Sequence, residues 1–427
     1  MKGFRNICFI HSIEDSYDVC YLKQFFKWIG FSYFTFTPDT MGIGLDILRK
    51  PENQGFDIIV GLNQVAQWKD SSIISLFGNR LVILAKTDCQ QNKDLLDQLI
   101  DKIDISILKG CHSRILKELA QIYRDNQMVK VMYEYTTILM ESMDDAFFSN
   151  VRQLVQKALH QVNSMLDEMR QPDSMVGYDM IEYVLYAKYS CQRKINELYK
   201  MKKWVLEYPV PKMLEDLEEI YQYDKGFYRV EFLKAKVAEQ SLMRKAYAKL
   251  FYHNAINACG VDLCKSYLFY QLGKWLDNNK QIYTAGQAYY RAYECNPVNM
   301  KAVFKLVVDA RRKKAVDLER KYLRLLIRNW DVSETYKSFL PLMELEYGYK
   351  AYMLLDELER TDMQDTRFYS KGKEILEYTK NLHAEAGENH FIKRLYNKDD
   401  EEEIKGIGMA IACRMDIKCQ ELQHTGR

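Results

Sequence analysis

Four short apolar runs near the start of the chain are each followed closely by residues able to do chemistry. His11 and Ser12 stand at the end of NICFIH, Asp39 follows FSYFTF, Asn63 follows FDIIVG, and Lys86 follows RLVILA. An imidazole, a hydroxyl, a carboxylate, a carboxamide and an ammonium at the carboxyl ends of parallel strands would hold a small ligand such as a nucleotide or nucleotide-sugar. The same residue types also serve ordinary local structure. Ser16 suits a helix N-cap and Asp39 suits a turn. Both readings stay open.

More specific chemistry finds no matching pattern. The sequence holds no G-x-x-x-x-G-K-[ST], no G-x-S-x-G and no H-E-x-x-H. MGIGLDI supplies Gly42 and Gly44 but lacks a third glycine and follows the second apolar run, so it is a weak dinucleotide signal. Glu14, Asp15 and Lys86 could belong to a phosphorylated receiver, yet the third run ends IIVGLN with no acidic phosphoacceptor. Ten cysteines are scattered without a C-x-x-C pair, and Cys8 and Cys259 sit in apolar surroundings. They read as buried reduced thiols of a cytoplasmic protein. The seven histidines, including His112 beside Cys111, show no zinc spacing. No metal and no cofactor is expected.

The elements that would position these residues follow from length and periodicity. A chain of 427 residues is too long for one ordinary core, and 48% hydrophobic with 28% charged residues predicts a folded protein. Lys and Arg total 61 against 59 Asp and Glu, so no global field attracts nucleic acid or an anionic membrane. The basic run 310–315 and the acidic run 399–403 read as solvated charge. No apolar run reaches the ~18 residues of a membrane span, and the N-terminal residues read as a first strand rather than a secretory signal. The runs Asn6–His11, Phe31–Phe36, Phe56–Gly61 and Arg80–Ala85, with a weaker fifth at Ile103–Leu108, suit buried parallel strands. Val19, Leu22, Phe25, Phe26 and Ile29 form one helical stripe between the first two, closed by Gly30. Residues 1–110 are therefore expected to form a small Rossmann-like, flavodoxin-like α/β domain.

The segments ICFIHSIEDSYDVCYLKQFFKWIGF and FDIIVGLNQVAQWKD resemble the first strand, first helix and third strand of a Toll/interleukin-receptor (TIR) domain, with Trp68 opening a helix. Enzymatic members cleave the nicotinamide bond of NAD with a glutamate shortly after that tryptophan. Here Ser72 holds that position and Asp70 is the acid nearby, which argues against that catalysis. A flavodoxin-like sheet with no TIR kinship stays open beside it.

From residue 111 to 427 strand-like alternation gives way to amphipathic helices, and no proline falls between Pro51 and Pro172 or between Pro211 and Pro297. The clearest pattern lies at 266–299, SYLFYQLGKWLDNNKQIYTAGQAYYRAYECNPVN. It resembles a tetratricopeptide repeat (TPR), a helix pair with a period of about 34 residues. Phe269, Leu272, Gly273 and Leu276 match the first helix, Ala285, Tyr289 and Ala292 the second, and Pro297 the turn that follows. Small residues let the helices approach and proline prevents continuation. Weaker register continues at Leu306, Ala310, Leu323 and Leu326, with Val307 and Glu319 off-pattern, and upstream at Leu233, Ala246 and Leu250. Degenerate repeats are expected across about 225–335. An irregular helical bundle is the alternative.

A TPR-like solenoid lines its concave face with the first helix of each pair. The resemblance therefore implies a partner surface of Tyr267, Tyr270, Lys274, Asp277, Lys301 and Phe304. The expected function is a cytoplasmic adaptor or scaffold that binds a partner peptide or helix there, with no nucleic acid, no membrane insertion and no covalent step. The alternative is a nucleotide- or nucleotide-sugar-binding enzyme or sensor, TIR-like or glycosyltransferase-like, regulated by the helices. The sequence offers no second α/β half for a glycosyltransferase-like assembly.

Overall fold

The computed structural model of the chain describes residues 6–10, 16–36, 50, 58–62, 81–85, 96–97, 99–101, 113–132, 145–171, 180–240, 245–315, 317–319, 321–322 and 325. Four strands match the four apolar runs: β1 (Asn6–Ile10), β2 (Ser32–Phe36) and β4 (Leu81–Ala85) fall within theirs, and β3 (Ile58–Leu62) ends one residue beyond its run. They form one parallel sheet in the order β2-β1-β3-β4. Cys8 stands between Phe34 and Ile59, and Val60 pairs with Ile83. The consecutive residues Ile7, Cys8 and Phe9 are all buried. Both faces of β1 are therefore covered, which explains why its sequence is a solid apolar run rather than an alternation. The expected fifth strand, Ile103–Leu108, lies outside the described residues.

Parallel β1 and β2 require a crossover, and helix α1 (Ser16–Trp28) supplies it. Leu22, Phe25, Phe26 and Ile29 of the expected stripe are buried, and the Val19 side chain lies outside the described ones. Gly30 ends the helix as its position suggests. Its φ of +103° is left-handed, and the Phe31 N–H donates to Phe26 O at 2.8 Å. Phe25 and Trp28 pack on Tyr123 of helix α2 (Ser113–Asp125) at ring-centroid distances of 5.4 and 5.5 Å. Phe31 stacks on Tyr183 at 5.4 Å.

Tyr183 belongs to a series of helices that continues with α3 (Met128–Met132), α4 (Asp145–Met169), α5 (Ile181–Met201), α6 (Val210–Tyr223), α7 (Tyr228–Ala238), α8 (Lys245–Ala258), α9 (Asp262–Asn278), α10 (Ile282–Cys295) and α11 (Met300–Arg312). Sequence neighbours pack on one another: α4 on α5, α5 on α6, α6 on α7, α7 on α8 and α10 on α11. In α4 the buried residues Phe148, Val151, Val155, Leu159, Val162, Leu166 and Met169 keep three- and four-residue steps, and the helix ends before Pro172. The chain divides into two compact units, 1–275 and 276–427. The change from strand to helix near residue 110 falls inside the first unit, where the sheet, α1, α2 and α5 share one core. Among the described residues no helix is long and apolar enough to cross a membrane.

Two glycines separate backbone strain from steric contact. A Cβ on Gly30 would overlap the ring of Tyr186 from α5, whereas one on Gly226, φ +80°, meets nothing within 4 Å. Gly226→Ala should cost about 1 kcal/mol from strain alone. Gly30→Ala should cost ~3 kcal/mol, because strain and overpacking add. Equal losses in urea unfolding would show that the Tyr186 contact carries no weight.

Candidate functional site

The repeat-bearing helices are the candidate site, and their inward faces come first. In α10, Ala285, Tyr289 and Ala292 are buried, as the repeat pattern expects, and so are Leu272, Gly273 and Leu276 of α9. The Tyr289 hydroxyl donates to Asp277 Oδ2 at 3.2 Å, tying α10 to the end of α9. Asn296, the C-cap of α10, accepts from the Val298 N–H at 3.2 Å. Asn299 accepts from the Ala302 N–H at 3.2 Å and starts α11. Pro297 sits between the two asparagines and breaks the helix.

The upstream register differs from expectation. Leu233 is buried, but Ala246 and Leu250 are exposed. The buried residues of α8 are Ala248, Tyr252 and Ala255. That is the spacing of Ala285, Tyr289 and Ala292, displaced by two positions from the expected alignment. The parallel extends to chemistry. The Tyr252 hydroxyl donates to Glu239 Oε1 at 2.5 Å, just past the end of α7. Burial and the Glu239 carboxylate hold that hydroxyl far above the usual tyrosine range, so it stays a donor. Both second helices thus carry a small-Tyr-small face whose tyrosine bonds a carboxylate at the end of the preceding helix. The same sequence signal stands two residues downstream of Ala246 and Leu250, at Ala248 and Tyr252.

The outward faces decide what a partner could touch. In the first unit Tyr267 is 49% exposed and meets Phe232 of α7 edge-on at 5.5 Å. Lys274, two turns on, is exposed, whereas Tyr270 is only 5% exposed. In the second unit Asp277 lies 3.8 Å from Lys305, Lys301 is partly exposed, and Phe304 is only 2% exposed. Tyr270 and Phe304 were expected on an open face and are packing residues instead. In α11 the run Ala302–Phe304 and then Leu306, Val307 and Ala310 are all buried. More than one side of that helix is covered, so its i, i+3 positions cannot all reach solvent.

An aromatic row lies instead on α10. Tyr283 and Tyr290 are 69% and 43% exposed. At ~100° per residue they stand within about 20° of each other and roughly 110° from the inward Tyr289. Tyr293 continues the row, 6.3 Å from Tyr290 and edge-on to Tyr322 at 5.9 Å. Lys313 lies over the Tyr283 ring at 5.6 Å and pairs with Asp309 at 2.6 Å. Gly286 makes room for this arrangement, since a Cβ there would come within 2.8 Å of the Asp309 carboxylate. Once Tyr289 is assigned inward, the adjacent letters YYRAY already point Tyr290 outward.

His11, Ser12, Asp39, Asn63 and Lys86 lie outside the described residues, as do Trp68, Asp70 and Ser72. The ends of β1, β2, β3 and β4 that they follow share one sheet edge. Cys8, Cys191, Cys259 and Cys264 are buried. Hydrogen bonding from Cys259, then from Tyr228, holds the Cys264 thiol below its usual range against burial. Burial pushes Cys191 up to about 12.

No family model matches the chain, and no curated protein matches it. Among solved structures it is similar to a chain of the crystal structure of the APC/C hetero-tetramer Cut9-Hcn1, at 11% identity and a TM-score of 0.25. The match covers 76% of this chain and 66% of that one, so the chain spans just under two thirds of that neighbour's length.

The shared tyrosine bonds can be weighed directly. Tyr252→Phe and Tyr289→Phe should each cost about 1.5 kcal/mol in denaturant unfolding, the usual range for a hydrogen bond to a carboxylate. A loss below ~0.3 kcal/mol at both sites would remove these bonds from any account of helix pairing.

Proposed function

We propose that the chain is an adaptor or scaffold that binds a partner peptide or helix on the outer faces of its TPR-like helix pairs. In this reading residues 1–110 form the α/β head and 111–427 the helical array. The observation that carries it is the exposed row of Tyr283 and Tyr290, held on a helix whose opposite face is fixed by Ala285, Tyr289 and Ala292. Rigid aromatic rings give a large contact area at little cost in conformational entropy, which suits them to a partner surface. Tyr267 and Lys274 in the first unit, with Asp277 and Lys301 in the second, remain proposed contacts. Reading the four buried cysteines as reduced thiols favours a cytoplasmic setting.

A second reading has its own support. The order β2-β1-β3-β4 reverses direction between β1 and β3, and doubly wound sheets bind ligands at the carboxyl edge beside such a switch. His11, Ser12 and Asn63 follow those two strands, with Asp39 and Lys86 after their neighbours. A nucleotide or nucleotide-sugar is the ligand class in this reading.

One pair of measurements separates the two. Helical peptides selected from a displayed library on the full chain should lose tenfold or more in affinity when Tyr283 and Tyr290 are both changed to Ala, with the thermal midpoint unchanged. Selection that yields no peptide, or peptides indifferent to both changes, would remove the adaptor reading. Saturable stabilisation by NAD, nucleotides or nucleotide-sugars, abolished by Asn63→Ala with Lys86→Ala, would put the second reading in its place.

A further inference from the structure

We propose that the aromatic row on α10 takes an acidic amphipathic helix, whose apolar side chains seat on the tyrosines and whose carboxylates meet the cations bordering the row. This inference rests on the adaptor reading and names the chemistry of its partner. Tyr283 and Tyr290 are exposed on α10. A third apolar group extends the surface beyond that helix. Leu318, 47% exposed, precedes Tyr322 by one helical turn, and Tyr322 meets Tyr293 edge-on. From Tyr283 to Tyr293 the row runs about 15 Å along α10, at the rise of an α-helix. That length suits roughly three turns of a partner helix, which presents apolar anchors at i, i+3, i+4 and i+7.

The border of this surface is basic at both ends. Asp309 of α11 lies against Gly286 of α10, and Arg312 and Lys313 follow it by three and four residues on the same side of α11. Lys313 fixes that side, because its ammonium sits 5.6 Å from the centroid of the Tyr283 ring. Lys314 comes next, at φ +57°, where the Ala315 N–H donates to Ala310 O at 2.9 Å and ends the helix. At the other end Lys321 lies over the Tyr322 ring at 5.9 Å. Two carboxylates near the row are already paired, Asp309 with Lys313 at 2.6 Å and Glu294 with Arg291 at 2.9 Å. Arg312, Lys314 and Lys321 are exposed and enter no ion pair among the described residues, against one exposed carboxylate in the same state, Asp317. The surplus is positive, so the surface complements carboxylates set beside apolar side chains.

Tyrosines and cations together also serve single-stranded nucleic acids, through base stacking and phosphate contacts. Two features favour the acidic helix. Tyr290 is tilted 45° to Tyr293, and Tyr293 meets Tyr322 edge-on, so these rings offer no parallel platforms for successive bases. Glu294, Asp309 and Asp317 are interspersed with the cations. They would repel a continuous phosphate backbone, whereas a helix can place its few carboxylates away from them.

The test uses the full chain and helical peptides selected on it from a displayed library of mixed charge. Peptides that lose affinity on Tyr283→Ala with Tyr290→Ala should carry a net negative charge. Their binding should weaken roughly fivefold or more between about 0.05 and 0.5 M sodium chloride, as screening shortens the reach of the cations. Arg312→Glu combined with Lys321→Glu should weaken binding roughly tenfold, and Lys225→Glu, an exposed cation in the turn after α6, should leave it unchanged. Exchanging Glu for Lys in the peptide should restore binding to the double variant, a recovery that a damaged fold cannot give. If the double variant melts below the parent, the salt dependence of the parent decides the matter. Row-dependent peptides that are neutral or basic, and indifferent to salt and to charge reversal, would overturn this inference and leave the adaptor reading standing. Selection that yields no row-dependent peptide would overturn both. Tighter binding of an oligothymidylate, or self-association lost with the two tyrosines, would give the row to a nucleic acid or a second copy of the chain and overturn the inference as well.

Discussion

The last turn of α1 leaves backbone carbonyls that no further helical turn can satisfy. Gly30 folds the chain back through a left-handed turn, and its missing side chain admits the Tyr186 ring. Ser190 and Arg229 then donate to the carbonyls of Trp28, Lys27 and Phe31. A helix that begins as a β-to-β crossover is thereby fastened to α5 and α7, about 160 to 200 residues away in sequence. The sheet shares one core with α1 to α7, and Trp28, Tyr123 and Tyr183 pack around this junction. A terminus buried without such donors would cost several unsatisfied carbonyls.

Beyond the junction, the helices use one local solution twice. In α8 and α10 a small-Tyr-small face packs inward while the tyrosine hydroxyl bonds an acid at the end of the previous helix. The alanines let the backbones approach, and the phenol fills the gap and satisfies its own polar end. The outward faces are therefore free to vary. That freedom allows α10 to carry an aromatic row, with Lys313 over Tyr283 and Gly286 yielding space to Asp309.

Charge shows a similar contrast of scales. The chain as a whole is nearly neutral, at +2, and has no field to steer a distant polyanion. Locally, charges pair where helices meet: Lys188 of α5 lies 3.0 Å from the buried Asp216 of α6, and Lys234 of α7 lies 2.7 Å from Glu218 of α6. Composition averages over positions and cannot register such pairs, because their members come from different helices that only the packing brings together.

The sequence by itself determined the elements. The solid apolar runs gave the parallel strands, the three-and-four spacing of Leu22, Phe25 and Ile29 gave α1, and Gly30 gave its end, because each signal is local and periodic. Ala285, Tyr289 and Ala292 were legible for the same reason, and their counterparts Ala248, Tyr252 and Ala255 were missed only through a two-residue shift in register. Only the tertiary structure decided which faces stayed open. Helical periodicity names the stripes of a helix but not how many neighbours cover it, so Tyr270 and Phe304 read as surface and proved to be core. It also decided that Arg229 would reach back to α1, since a contact between groups so far apart in the chain has no local signature to read.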